Sequence, residues 1–98
     1  MNLPGQAATT AVTVSIASSA TSTNLFPVAG SGNGRTVFND SSAILYLKYG
    51  ATASEMSYTV QIAPGGYYEF PGLPQTLYLG NVDGIWASAN GAARLTSW

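Results

Sequence analysis

Short stretches in which apolar and polar residues alternate recur along the chain, and no long stretch repeats with the period of a helix. Residues 12–16 and 58–62 alternate cleanly, as half-buried β-strands do. Residues 44–49 are apolar on nearly both faces, which predicts a central strand of a sheet. Further strands are predicted at residues 35–39, 67–70, 76–79, 85–88 and 92–98. About seven or eight short strands predict an all-β fold, a small antiparallel β-sandwich that is jelly-roll-like or immunoglobulin-like.

Turn-forming residues separate the predicted strands. Residues 39–42 and 64–66 contain the Asn, Asp, Pro and Gly residues that favour tight turns. Asp83-Gly84 suits a type I′ hairpin turn, and so does Asn90-Gly91. The glycine-rich residues 30–34 predict a flexible turn.

Composition divides the chain into two parts of one domain. Residues 1–34 contain no charged side chain and are rich in Ala, Ser, Thr and Gly, so we interpret them as an extended N-terminal arm with one strand. The β-branched alternation favours an ordered arm over a disordered tail. Residues 35–98 form the predicted sandwich body. The arm is too polar for a membrane span and has no basic start, so we expect no targeting segment.

Charge is scarce. Charged residues make up 7% of the 98 residues, against roughly a quarter in an ordinary domain, and the net charge is −1. The three cations are few and scattered, so we expect neither a nucleic-acid partner nor a membrane partner. Solitary proteins protect open sheet edges with Lys, Pro or inward-pointing charges, and here one lysine, Lys48, serves all eight candidate strands. We therefore expect the edges to be covered by the arm and by further copies of the chain.

Few residues can perform catalysis. The chain has no His and no Cys, which removes the commonest base, the commonest metal ligands and the thiolate nucleophile. Asp40 and Asp83 lie in predicted turns, Glu55 in a loop and Glu69 on the solvent side of a strand, an arrangement that does not favour a catalytic pair. Four residues could offer oxygen ligands to calcium, but their spacing is not that of a known calcium loop. They are Asn39, Asp40, Asn81 and Asp83. The prediction is no enzyme, no cofactor, no metal and no small-molecule substrate.

The segment from residue 35 to residue 95 resembles a module of small virion structural proteins of tailed bacteriophages. The similar stretches are Asn39-Asp40-Ser41-Ser42-Ala43, Leu45-Tyr46-Leu47-Lys48-Tyr49-Gly50-Ala51, Tyr58-Thr59-Val60, Ala63-Pro64-Gly65-Gly66-Tyr67-Tyr68-Glu69 and Gly84-Ile85-Trp86-Ala87-Ser88-Ala89. The resemblance implies a capsid decoration (cement) protein or a fibre-like component, built as a β-sandwich oligomer. It carries no active site, and residues 1–34 lie outside it.

Three functions follow as expectations. The first is a capsid decoration protein on the virion surface that binds the major capsid protein and copies of itself, as a homotrimer or homodimer, and stabilises the head shell. Its expected contact residues are Val12, Val14, Ile16, Leu25, Phe26, Tyr67, Tyr78 and Trp98. The second is a receptor- or carbohydrate-binding module of a tail fibre, with Tyr68 and Trp86 stacking on sugars. The third is a neck or connector component that forms a ring.

Overall fold

The protein is a small β-sandwich, as the alternation of residues predicts. A computed structural model describes residues 9–26, 33–72 and 76–98, and these contain eight strands in two four-stranded antiparallel sheets. The strands are β1 (Val12–Ala17), β2 (Thr23–Asn24), β3 (Arg35–Ser41), β4 (Leu45–Tyr49), β5 (Val60–Ile62), β6 (Tyr67–Glu69), β7 (Val82–Trp86) and β8 (Gly91–Ser97). No helix able to cross a membrane occurs in the described ranges.

The first sheet has the strand order β1-β8-β3-β6. β3 lies between β8 and β6, with Phe38 opposite Arg94 on one side and Tyr67 on the other. β1 lies along the other side of β8, with Val14 opposite Leu95. The strand predicted within residues 1–34 is therefore an integral member of this sheet.

The second sheet has the order β2-β7-β4-β5. β4 pairs with both β5 and β7, which confirms the central position predicted from its apolar faces. β2 is only two residues long, and it pairs with β7 at Gly84 and Asp83. Residues 1–34 were expected to contain one strand, so this second, short strand corrects the expectation.

The core lies between the two sheets and is mostly apolar. Its buried residues are Leu25, Phe26, Val37, Ala43, Leu45, Leu47, Ile62, Phe70, Val82, Trp86, Ala93 and Leu95. Trp86 is the largest side chain that is fully buried. Burying Trp86 and its neighbours supplies most of the free energy that holds the sheets together, since apolar burial is worth about 25 cal/mol per Å².

Two polar residues of β3 point into the core and make it specific. The Asn39 side-chain amide donates hydrogen bonds to the carbonyls of Ala43 and Ile62, at 2.8 and 2.9 Å. The Arg35 guanidinium donates to the carbonyls of residues 78, 79 and 80, and it lies 4.5 Å from the centre of the Phe26 ring. Burial lowers the pKa of Arg35.

Several predicted turns are strands in the structure. Asp40 lies within β3, and Asp83-Gly84 lies within β7, so both turn predictions are wrong. Gly84 serves packing instead, because a Cβ there would approach Leu25 Cδ1 to 2.7 Å. Residues 76–79, which were predicted as a strand, form none. The carbonyls of residues 78–80 accept hydrogen bonds from the Arg35 guanidinium. Most of the predicted turn at residues 30–34 lies outside the described residues.

Candidate interaction surface

The aromatic side chains with the highest exposure on any strand lie on the outer face of the first sheet. Directly paired residues in antiparallel strands point to the same side, so one row across the sheet runs Ser15, Arg94, Phe38 and Tyr67. A second row runs Thr13, Thr96, Thr36 and Glu69. We call these two rows, with Asp40, the aromatic face.

Phe38 and Tyr67 are neighbours at the centre and edge of this face. Phe38 is 38% exposed and Tyr67 is 61% exposed. Phe38 and Tyr67 are directly opposed in the register of β3 and β6, and opposed residues in neighbouring strands have Cβ atoms about 5 Å apart, so the two exposed side chains lie side by side. Rings of this size bury large areas on contact, which makes such a pair a favourable docking point.

The charges on the aromatic face are mostly paired. Nε and Nη2 of Arg94 donate to Asp40 Oδ2 at 3.1 and 2.9 Å, and Nη1 donates to Ser15 Oγ at 2.8 Å. This contact is the single ion pair found among the described residues. A surface pair of this kind adds about 0–1 kcal/mol to stability, so its main effect is to leave the face nearly neutral.

Hydroxyl groups line the other row. The Thr13 and Thr96 hydroxyls form a hydrogen bond of 3.0 Å, which confirms that β1 and β8 present their polar residues on the same side. Glu69 is the exposed carboxylate at the far end of the row. The aromatic face therefore combines two exposed rings, several hydroxyls and one unneutralised charge.

The positions of the carboxylates do not suit a glycosidase. Asp40 lies four residues along β3 from Thr36, the partner of Glu69, a separation of roughly 13 Å at 3.3 Å per residue. Glycosidases hold their two carboxyl groups about 5 to 10 Å apart. Asp83 faces outward from the second sheet, on the opposite side of the sandwich from Asp40.

The structure divides the predicted contact residues. Tyr67 lies on the aromatic face. Leu25 and Phe26 lie in the core, so their placement corrects the expectation that they contact a partner. Burial of this apolar pair against Gly84 and Arg35 fixes residues 25 and 26 within the sandwich.

Tyr78 and Trp98 are half-buried and serve packing. The Tyr78 ring stacks on Tyr49 with ring centres 4.7 Å apart, and its hydroxyl donates to the carbonyl of Asn81. Trp98 packs its ring against Gly34, where a Cβ would collide with it. Backbone hydrogen bonds of 3.1 Å in both directions hold these two residues together.

The remaining predicted contacts are the apolar row of β1. Val12 and Val14 are 62% and 39% exposed, and Ile16 is half-buried against the core. The register places them on the inward side of the first sheet, opposite Ser97, Leu95 and Ala93. Val12 and Val14 are therefore exposed on this inward side, and β2, an edge strand of the second sheet, has only two residues.

The two aromatic residues expected to stack on sugars are held by the fold. Trp86 is in the core. The Tyr68 hydroxyl is 2.8 Å from that of Tyr49, and its ring packs against the core. The exposed aromatic side chains among the described residues are Phe38, Tyr58 and Tyr67.

The four calcium ligands considered from sequence do not form one group, although Asn81 and Asp83 are in contact. Asn39 is buried and saturated by core hydrogen bonds, and Asp40 binds Arg94. Asp83 accepts from Ser22 Oγ and from Asn81 Nδ2, at 3.1 and 3.0 Å. Within residues 9–26, 33–72 and 76–98, no three His, Cys, Asp or Glu residues are grouped as metal ligands.

Phe38 and Met56 are among the exposed apolar residues that sequence reasoning missed. Phe38 lies between Val37 and Asn39, and the pattern gives no sign that Asn39 faces the core while Phe38 faces solvent. Met56 is 94% exposed at the tip of a tight turn closed by reciprocal backbone hydrogen bonds between Ser54 and Ser57. The sequence feature that could have revealed the exposure of Met56 is its position as an isolated apolar residue among turn-forming serines.

No protein family, curated protein or solved structure matches this chain.

Proposed function

We propose that this chain is a non-enzymatic structural protein of a tailed-phage virion, a capsid decoration protein that docks on the head shell through its aromatic face. The observation that carries the proposal is the exposed pair Phe38 and Tyr67 on an open sheet face with hardly any net charge. The resemblance to small virion proteins supplies the class of partner, the major capsid protein.

The composition of the aromatic face suits a permanent contact. Removing an unpaired charge from water costs several kcal/mol, whereas hydroxyls and aromatic rings lose little on burial when they find partners. Arg94 and Asp40 are already joined, so a docking partner must accommodate only Glu69 as a separate charge. Interfaces favour this composition, since their centres are enriched in Tyr and Phe and poor in Lys and Glu.

The size of the face limits what one copy can achieve. Four strands of up to seven residues cover about 400 Å², from spacings of about 4.8 Å between strands and 3.3 Å along them. A specific interface takes about 800 Å² from each partner. One face supplies about half of that area, so we expect several linked copies to bind the shell together.

Co-sedimentation with expanded, empty shells of the phage that carries the gene tests the proposal. The double variant Phe38→Ser/Tyr67→Ser should bind at least ~10-fold more weakly. Tenfold corresponds to a loss of only about 1.4 kcal/mol of binding free energy, and the variant removes two aromatic rings from the contact. The variant Met56→Ser removes an even more exposed apolar side chain from a different surface and should bind as the wild type does. Failure of the wild-type protein to bind shells, or unchanged binding of the double variant, contradicts the proposal.

A second candidate is a saccharide-binding module of a tail fibre. The observation that favours it is the position of two exposed rings between Arg94 and Glu69, because sugar sites combine aromatic stacking with charged hydrogen-bonding groups. A glycan array separates the two functions. A ligand that wild type binds and Tyr67→Ser does not would support the module, and an array without signal would reject it.

A further inference from the structure

We propose that two copies of this chain join through β1, edge to edge and antiparallel, with Val14 on the two-fold axis. The proposal goes beyond shell binding, because it predicts a dimer in solution without any shell. It rests on four properties of β1: a free backbone edge, the absence of protecting residues, an uncovered apolar row and a self-complementary sequence.

Among residues 9–26, 33–72 and 76–98, nothing pairs with the backbone groups along the outer edge of β1. The amide of Ser18 donates to Gly91 of β8 at 2.9 Å, so residues 12, 14 and 16 also direct their backbone groups toward β8. Thr13, Ser15 and Ala17 then direct their N–H and C=O groups away from the sheet. In the described part of the chain, no strand pairs with this side of β1.

β1 lacks the residues that normally prevent edge pairing. It contains no Lys, no Pro and no charged residue, and all but one of its residues are exposed. With six residues it spans about 20 Å. The other edge strands, β2, β5 and β6, have two or three residues each. A long, uncharged and unprotected edge is the kind that pairs with another chain.

The apolar row of β1 selects the register of the pairing. An antiparallel pair centred on Val14 places Val14 opposite the partner's Val14, and it places Val12 opposite the partner's Ile16. Every apolar residue of the row then meets an apolar residue. The same register sets Thr13 against the partner's Ser15 with their outward backbone groups facing each other, so apolar contacts and backbone hydrogen bonds agree on one alignment.

This match identifies the occupant as a second copy. A strand that pairs across a two-fold axis must be complementary to its own reversed sequence, and β1 is: valine and isoleucine lie at both ends and at the centre of the row, with hydroxyl residues between them. No charge on β1 opposes a like charge in the dimer. Two four-stranded first sheets would thus become one continuous sheet of two copies.

Sedimentation equilibrium of the full chain over a wide range of concentration tests the dimer. The wild-type protein should approach twice its monomer mass of 10.1 kDa. Val14→Lys and Val14→Glu should each remain monomeric, because the axis brings two like charges directly opposite each other. Circular dichroism should show both variants folded, since position 14 is partly exposed and a long side chain can extend into water.

An equimolar mixture of the two variants is the decisive sample. Opposite charges then face each other at the axis, and the doubled mass should return. Met56→Lys adds a charge on a different surface and should dimerise as the wild type does. A wild-type monomer at every concentration overturns the proposal, and so does a dimer that survives Val14→Lys or fails to reform in the mixture. Neither result bears on whether shells bind the aromatic face.

Discussion

The indole N–H of Trp86 donates a hydrogen bond of 3.1 Å to Oδ1 of Asn39, and this bond joins the two sheets in the middle of the core. Trp86 belongs to β7 of the second sheet and Asn39 to β3 of the first. The Asn39 amide nitrogen binds the carbonyls of Ala43 and Ile62 at the same time. One buried side chain therefore fixes the start of β4, the end of β5 and the orientation of the central tryptophan.

Replacement of Asn39 by Leu should be among the most destabilising single changes. It removes the donor to the carbonyls of Ala43 and Ile62 and the acceptor of the Trp86 N–H, and each buried polar group left unsatisfied costs about 1–3 kcal/mol. We expect a loss of at least ~3 kcal/mol in urea unfolding followed by tryptophan fluorescence. Asp40→Asn, one residue along β3, is the control and should change stability by less than about 1 kcal/mol. A stable Asn39→Leu variant would contradict this role.

Arg35 should hold residues 78–80 in place. Its guanidinium binds three backbone carbonyls and lies over the Phe26 ring, which no uncharged side chain can replace. Arg35→Met should cost about 1–3 kcal/mol and should increase proteolytic cleavage near residue 79. Arg35→Lys should restore only part of the loss, because an ammonium lacks the planar fork of donors. Wild-type cleavage in Arg35→Met would show that the segment is held by other contacts.

Gly84 should be sensitive to a single added methyl group. A Cβ at this position would lie 2.7 Å from Leu25 Cδ1 and 3.0 Å from Leu45 Cδ1, so Gly84→Ala should cost about 1–3 kcal/mol. Leu25→Ala makes room, so the double variant should lose at least ~0.5 kcal/mol less than the sum of the two single changes. Gly84→Ala combined with Val12→Ala should be additive, since Val12 is exposed on β1. Additivity with Leu25→Ala would contradict the packing.

Tyr49 should make the fold sensitive to alkali. Burial, and then its hydrogen bond with the Tyr68 hydroxyl, raise the pKa of Tyr49 above the ordinary value for tyrosine. A raised pKa in the folded state gives stability that is present below about pH 10 and is lost as the pH rises further, because the unfolded chain ionises first. Urea unfolding from pH 8 to pH 11 should show a shallower decline for Tyr49→Phe than for wild type. Equal slopes would contradict the prediction.

Sequence patterns predicted the elements whose environment is uniform along their length. β4 is apolar on both faces because it lies in the middle of its sheet, and β1 alternates because one of its sides faces the core. The pattern failed at β3, where Arg35 and Asn39 point inward and Phe38 points outward. Hydrogen bonds to the carbonyls of residues 43, 62 and 78–80 hold Asn39 and Arg35 inside, and all of these partners except residue 43 lie far along the chain.

The candidate site was only partly predictable for the same reason. Tyr67 was expected at a contact surface, but its neighbour Phe38 becomes visible only through the register of β3 and β6. Leu25 and Phe26 look like an exposed apolar anchor in a polar arm, and they are buried because Gly84 and Arg35, far along the chain, leave space for them. Asp83-Gly84 has the sequence of a turn, although packing against Leu25 requires glycine within β7.

The most direct test of the central claim is an electron cryo-microscopy reconstruction of the intact phage particle. We predict density for the sandwich on the outside of the head shell, with Phe38 and Tyr67 against the major capsid protein. Density for this chain only at the neck or tail, or a shell-bound sandwich with its aromatic face turned to solvent, would contradict the account.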